Sequence, residues 1–144
     1  MAGFSFLKYH TLHMNFNFRN RYLVITVRVL LGLMFLFSGV TGILAASNGM
    51  QGVPEVMVIS QWQLWDMGIF QLIKITEIVA GIMLITGFLP ALALLFISPI
   101  CVGLFAYDLS VAPGYFAGPI VITVMTAYLG YAYWDKFKAI FQRQ

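Results

Sequence analysis

Three ionisable residues lie within otherwise apolar stretches of this chain: Arg28, Lys74 and Glu77. A charge at the centre of a bilayer costs about 2.5–3.5 kcal/mol on insertion scales, so each one suggests a function. Lys74 and Glu77 are three residues apart and share one face of a helix. At about 1.5 Å per residue, Arg28 and Glu77 fall about 5 Å apart in depth. We therefore expect one buried cluster of net charge +1, suited to a quinone carbonyl, an oxyanion or a lipid phosphate.

The same residues also have a purely structural interpretation, which the sequence leaves open. Arg28 can extend along its aliphatic stem to the membrane surface. In this interpretation, the Lys74–Glu77 pair only holds two helices together. Asp108, at the end of a predicted helix, is expected to be solvated rather than to accept a proton. No residue is assigned a catalytic role.

The composition indicates an integral membrane protein. Of the 144 residues, 61% are hydrophobic and 9% are charged, whereas a soluble domain is about 45–50% apolar and about 25% charged. So few charges cannot cover a soluble surface, and the many aromatic residues exclude a disordered chain. The net charge of +3 is too small to indicate a nucleic-acid partner. We predict a single domain whose main partner is the lipid bilayer.

The residues that hold metals and redox groups are scarce. Cys101 is the single cysteine, which excludes an internal disulfide and a cysteine-based metal site. His10 and His13 both precede the first apolar segment, so a bis-histidine haem cannot be held inside a helical bundle. We predict no metal site and no cofactor of the chain's own, with a quinone as the candidate ligand.

Four segments are long and apolar enough to cross a bilayer, which needs about 20 residues. They cover about 22–46, 67–87, 90–108 and 116–138, and an outer loop over 47–66 joins the first two. A turn over 87–90, with Pro90 suited to a first helical turn, separates the second and third spans. We predict an all-α, four-helix transmembrane domain over 22–140, with a bend at Pro99.

The distribution of basic residues predicts the orientation. The 47–66 loop carries no Lys or Arg, whereas basic residues flank the first and last spans: Lys8, Arg19, Arg21, Lys136, Lys138 and Arg143. Because positive charge favours the cytoplasmic side, both termini are predicted to lie there.

Residues 1–21 form a basic, aromatic tail with apolar residues at helical spacing, as in an interfacial segment. This tail and the outer loop could instead dock on another membrane subunit. The candidate docking residues are Phe4, Leu7, Phe16, Phe18, Trp62 and Trp65.

Small residues predict where the helices approach one another, because close backbone contact drives helix association in lipid. Ser38 and Gly42 are spaced four apart on the first span, as are Thr126 and Gly130 on the fourth. Gly81 and Gly103 are predicted to serve the same purpose on the second and third spans.

Two segments resemble the DoxX family of small bacterial membrane proteins. They are RVLLGLMFLFSG from Arg28 to Gly39 and EIVAGIMLITG from Glu77 to Gly87. The resemblance implies four helices, Arg28 and Glu77 as recurring charges, and Gly32, Gly39 and Gly81 as packing positions. It also implies a bacterial inner membrane and a quinone-linked redox setting, since the family is named for its likeness to a membrane subunit of thiosulfate:quinone oxidoreductase.

Two functions therefore remain open at the level of sequence. The first is a DoxX-like subunit of a quinone-linked redox complex, with Arg28, Lys74 and Glu77 as its ligand site. The second is a non-catalytic accessory subunit that docks on a larger membrane assembly. A small transporter is a weaker third, because few polar residues are present to line a water-filled path.

Overall fold

The computed structural model describes residues 19–115 and 117–142, and the elements within them are all α-helices. The predicted all-α class is confirmed. The six helices are α1 (Arg21–Ser47), α2 (Glu55–Asp66), α3 (Ile69–Thr86), α4 (Pro90–Val111), α5 (Ala117–Ala132) and α6 (Trp134–Phe141).

Three of these helices, α1, α3 and α4, are long and apolar enough to cross a membrane. The apolar helix α5 has 16 residues, fewer than the roughly 20 of a typical span. Many large apolar side chains point away from the bundle, including Phe37, Leu72, Val102 and Val124, which are all more than 60% exposed. Such a surface is unfavourable in water and favourable in lipid, which indicates a membrane protein.

The first helix begins where a side chain caps it. The Asn20 side chain accepts a hydrogen bond from the Tyr22 backbone amide at 3.2 Å, which satisfies one free donor of the first turn. Within α1, the Thr26 and Thr41 hydroxyls donate to carbonyls one turn earlier. These polar groups are therefore satisfied within the helix and can face lipid.

The fourth predicted span differs from the structure. The sequence predicts one helix over 116–138, but Tyr133 interrupts it, leaving α5 and the separate α6. The interruption falls where the apolar sequence ends and the charged residues Asp135, Lys136 and Lys138 begin. The helix α6 has one apolar and one charged face, a pattern that favours an interface over a membrane crossing.

The connection over 47–66, predicted as a loop, contains the helix α2. Glu55 lies in the first turn of α2, where a negative charge is favourable. A left-handed residue, Gly68, then joins α2 to α3. Behind α2 lies a small apolar cluster that includes the buried Met50 and Phe70 and the partly buried Trp62 and Trp65.

Glycines determine how α1 packs on α3, which is the most extensive helix contact. A Cβ added to Gly81 would lie 2.8 Å from the Gly32 carbonyl oxygen. A Cβ added to Gly39 would lie 3.0 Å from the Lys74 carbonyl oxygen. The two helices therefore run antiparallel in backbone contact, with Gly32 beside Gly81 and Gly39 beside Lys74. The packing role of Gly32, Gly39 and Gly81 stays a prediction, and all three glycines lie at this helix contact.

Gly103 and Gly130 do not have the close contacts that their spacing predicts. A Cβ added at either position would meet nothing within 4 Å, because both glycines border open space. The contact between α4 and α5 instead includes Thr126, whose hydroxyl lies 3.5 Å from the Cys101 sulfur. Thr126 is buried, and its hydroxyl also donates to the Ile122 carbonyl.

Candidate functional site

A polar cluster of Ser38, Lys74 and Glu77 lies between α1 and α3. The Lys74 ammonium lies 2.9 Å from Glu77 Oε2 and donates to Ser38 Oγ at 3.2 Å. The Ser38 hydroxyl in turn donates to Glu77 Oε2 at 3.0 Å. The three groups thus form a closed triangle that ties the two helices together.

The Glu77 side chain is the most buried part of this triangle, with 0% of its surface exposed. Its second oxygen, Oε1, is buried without a hydrogen-bond partner among the described residues. An ionised carboxylate in such surroundings depends on a nearby cation. Glu77 therefore depends on Lys74, and its place in the triangle fixes where the Lys74 ammonium lies.

The Lys74 side chain runs along the surface of α1 to reach Glu77. Its stem lies where a side chain on Gly42 would be, since a Cβ there would come within 2.6 Å of Lys74 Cε. Its ammonium is 5.5 Å from the centre of the Phe70 ring, which provides a cation–π contact. The Lys74 side chain remains 12% exposed, so a ligand can approach its ammonium.

Two clefts meet at Lys74 and Phe70. The first, of about 540 Å³, lies between α1, α3 and the segment leading into α2, and polar groups of Thr41, Asn48 and Gln51 line part of it. The second, of about 430 Å³, lies between α2, α3 and α4. Both volumes fall within the range of about 300–1,000 Å³ that is usual for small-molecule sites.

The second cleft has mainly apolar walls with a few polar groups. Apolar side chains such as Ile73, Ile100 and Leu104 line it, and the Tyr107 hydroxyl, hydrogen-bonded to Ser60, lies at one edge. Pro99 and Gly103 also line this cleft. The open space beside Gly103 is therefore part of the cleft, and the small residue keeps that space free.

The predicted pairing of Arg28 with Glu77 is wrong. In the antiparallel packing of α1 on α3, Ser38 lies opposite Glu77, and Arg28 lies against Gly87. Glu77 and Gly87 are ten residues apart, or about 15 Å along the helix axis. Among the ion pairs of the described residues, Glu77 is paired with Lys74, and Arg28 has no acidic partner.

Asp108 also differs from expectation. The sequence predicts a solvated carboxylate at a helix end, but α4 continues to Val111, and Asp108 in its last turn is only 7% exposed. The extra turn brings this side chain into the bundle. Ser38 was predicted only as a helix-packing residue. Its hydrogen bonds to Lys74 and Glu77 were not predicted, because a small polar residue is suited both to close packing and to hydrogen bonding.

A second ion pair joins the two ends of the described chain. Arg19, just before α1, donates to the Asp135 carboxylate in the first turn of α6. The hydrogen bond and the charge of Arg19 lower the pKa of Asp135 below its ordinary value of 3.8. The pair lies at the end of the bundle that also carries Arg21, Lys136 and Lys138, which we call the basic face.

We expect acid to release α6 from the start of α1. The lowered pKa means that the pair stabilises the fold above the ordinary aspartate pKa, and that this stability is lost as the pH falls through the lowered folded value. Both side chains are more than half exposed, so the effect is local and small. In the parent protein, acid should increase backbone hydrogen exchange in α6. Asp135→Asn should already show faster exchange in α6 at pH 7, and acid should not increase it further. Asp66→Asn, the same change at the end of α2, is the control, and equal exchange in Asp135→Asn and the parent protein would contradict the prediction.

The predicted docking residues lie partly beyond the described chain. Phe4, Leu7, Phe16 and Phe18 of the tail fall outside residues 19–115 and 117–142, as do His10 and His13. The Trp62 and Trp65 rings pack edge to face with centroids 6.5 Å apart, and Trp65 also contacts Phe70. Both tryptophans are partly buried against the protein itself. Within the described ranges, no three His, Cys, Asp or Glu side chains are grouped to hold a metal ion.

No protein-family model, curated protein or solved structure matches the chain. The site is therefore interpreted from its own geometry.

Proposed function

We propose that this protein binds a lipid-soluble molecule with an electron-rich head group, such as a quinone, and that Lys74 is the group that recognises it. In this proposal the chain is a DoxX-like, four-span subunit of a quinone-linked redox complex in a bacterial inner membrane. The observation that carries the proposal is the position of the Lys74 ammonium, held by Glu77 and Ser38 where two clefts meet.

The donor count at Lys74 supports this assignment. A lysine ammonium has three N–H donors and no acceptor. Two of them are directed to Glu77 Oε2 and Ser38 Oγ, which leaves one for a ligand. A carbonyl oxygen or an oxyanion is the complementary partner, because a charge-assisted hydrogen bond is about twice as strong as a neutral one.

The walls of the second cleft indicate the kind of molecule to which the head group belongs. Ile73, Ile100 and Leu104 offer an apolar surface, and Phe70 offers an aromatic ring beside the ammonium. A ring that carries a carbonyl could place its oxygen on Lys74 and its apolar edge against these residues. The chain's contribution would be to bind and orient the quinone, and a partner subunit would exchange electrons with it.

Gly103 provides a clean test, because it lines the cleft and a Cβ added there would meet nothing within 4 Å. Purified full-length protein in lipid nanodiscs is labelled with a diazirine-bearing benzoquinone, and the labelling is competed with a short-chain quinone. We expect Gly103→Leu to reduce saturable labelling by about tenfold, as expected for the loss of about 1.4 kcal/mol of binding.

Gly130→Leu is the matched control. It adds the same side chain to another glycine that borders open space, but on α5 and outside both clefts. Labelling in this variant should equal that of the parent. Saturable labelling that survives Gly103→Leu, or labelled peptides that exclude α3 and α4, would contradict the proposal.

The accessory-subunit function is the alternative, and one feature of α2 favours it. Val56 and Ile59 on this helix are 54% and 71% exposed, although α2 is not among the membrane-crossing candidates. An apolar face on a short helix can bind a partner subunit or the lipid interface. Ile59→Glu should then release the protein from its native complex while quinone labelling persists, and retention in the complex would argue against this function.

A further inference from the structure

Arg28 lies at the basic face, and no acidic side chain of the described residues is paired with it. Its Nη1 donates to the Tyr133 hydroxyl at 3.4 Å, and its Nε is buried without a hydrogen-bond partner among the described residues. The guanidinium also lies against Gly87, where an added Cβ would be 2.8 Å from Nη1. Arg28 thus occupies the space between the end of α3 and the end of α5.

All five side-chain carboxylates of the sequence lie in the described part of the chain, and none is paired with Arg28. Glu77 is taken by Lys74, and Asp135 is taken by Arg19. The other three, Glu55, Asp66 and Asp108, lie in α2 or near the far end of α4. The carbonyl end of α3 attracts a cation but carries only about half a negative charge. The positive charge of Arg28 can therefore be balanced by an anion from outside the chain.

A second cation lies beside the same tyrosine. The Lys136 ammonium is 5.1 Å from the centre of the Tyr133 ring, and the Tyr133 hydroxyl meets Arg28. Two positive charges are thus brought together around one aromatic side chain. Arginine presents a planar set of donors that matches phosphate oxygens, and lysine adds a point charge.

We propose that Arg28, Lys136 and Tyr133 bind the phosphate of an anionic phospholipid in the leaflet at the basic face. Gly87 ends α3 and Ala132 ends α5, so the site lies at the depth where two helices leave the apolar region. Phe88 and Leu89, directly after Gly87, are 66% and 52% exposed. These side chains give the acyl chains an apolar surface beside the phosphate site, which a free anion would not need. This site is separate from the one at Lys74 and does not depend on it.

The test compares lipids that differ in net charge. Full-length protein in a neutral detergent is titrated with dioctanoyl-phosphatidylglycerol or dioctanoyl-phosphatidylcholine, and bound lipid is counted by native mass spectrometry. The parent should prefer phosphatidylglycerol. Arg28→Gln should weaken that binding about tenfold, as expected for a lost charged hydrogen bond. Lys136→Gln should weaken it about fivefold, as expected for one basic residue near an anionic surface.

Lys138→Gln is the matched control, because it removes the same charge from α6, whereas the contact with the Tyr133 ring is made by Lys136. It should bind phosphatidylglycerol like the parent. If Arg28→Gln does not fold, phosphatidylglycerol binding by Lys136→Gln is compared with that by Lys138→Gln, and this comparison tests the proposal. Equal binding of the two lipids, or equal loss in the two lysine variants, would overturn the proposal. Displacement of the lipid by millimolar inorganic phosphate would also overturn it, by assigning the site to a free anion.

Discussion

Replacing Lys74 with methionine is expected to destabilise the protein by about 3–5 kcal/mol, the usual cost of removing one partner of a buried ion pair. The remaining partner, Glu77, has no exposed surface, and no group of the described residues donates to its Oε1. Methionine fills a similar volume but supplies no charge. The Ser38 hydroxyl would then be the one remaining polar partner of the Glu77 carboxyl group among the described residues.

The loss of stability should be smaller when Glu77 is replaced than when Lys74 is replaced. Glu77→Gln leaves Lys74 unpaired, but the ammonium borders two clefts and can be reached by water or ligand. We therefore expect a smaller cost, about 1–3 kcal/mol, for Glu77→Gln. The double variant Lys74→Met/Glu77→Gln should be more stable than Lys74→Met alone, because no charge is left buried.

Unfolding by sodium dodecyl sulfate in mixed micelles, followed by tryptophan fluorescence, would measure all three variants. A coupling energy of about 1 kcal/mol or more in the double-mutant cycle is expected for side chains in direct contact. Equal stability of Lys74→Met and the parent, or additive losses in the double variant, would mean that the pair contributes nothing to the fold.

The sequence predicted well the parts of the site that depend on a single helix. Lys74 and Glu77 are three residues apart, so their contact is a consequence of helix geometry alone. The largely apolar stretch over 22–46, which includes Arg28, similarly predicted a helix where the structure has α1, Arg21–Ser47. Local residue spacing and hydropathy are sufficient to predict such features.

The sequence did not predict what depends on how two helices align. Arg28 and Glu77 were placed at similar depths by counting from the two membrane faces. The contact between Gly32 and Gly81 fixes the alignment instead, and it brings Ser38 to Glu77. A side chain's partner across a helix pair depends on this register, which no single-helix pattern contains.

Gly81→Ala is expected to disrupt that alignment and to cost about 1–3 kcal/mol, as for other overpacked interiors. The added Cβ would lie 2.8 Å from the Gly32 carbonyl oxygen and 2.9 Å from the Leu36 backbone nitrogen. Both neighbours are backbone atoms of α1, so neither can rotate away. The two helices must separate, which also pulls Ser38 from Glu77.

Two other glycines provide graded controls for Gly81→Ala in the same unfolding assay. Gly42→Ala meets only the flexible end of Lys74, at 2.6 Å from Cε. It should therefore cost less stability but shift the ammonium and weaken quinone labelling. Gly130→Ala meets nothing within 4 Å and should stabilise α5 by about 0.5–1 kcal/mol, because alanine is the better helix former. Equal effects at Gly81 and Gly130 would show that the backbone contact between α1 and α3 does not hold the bundle together.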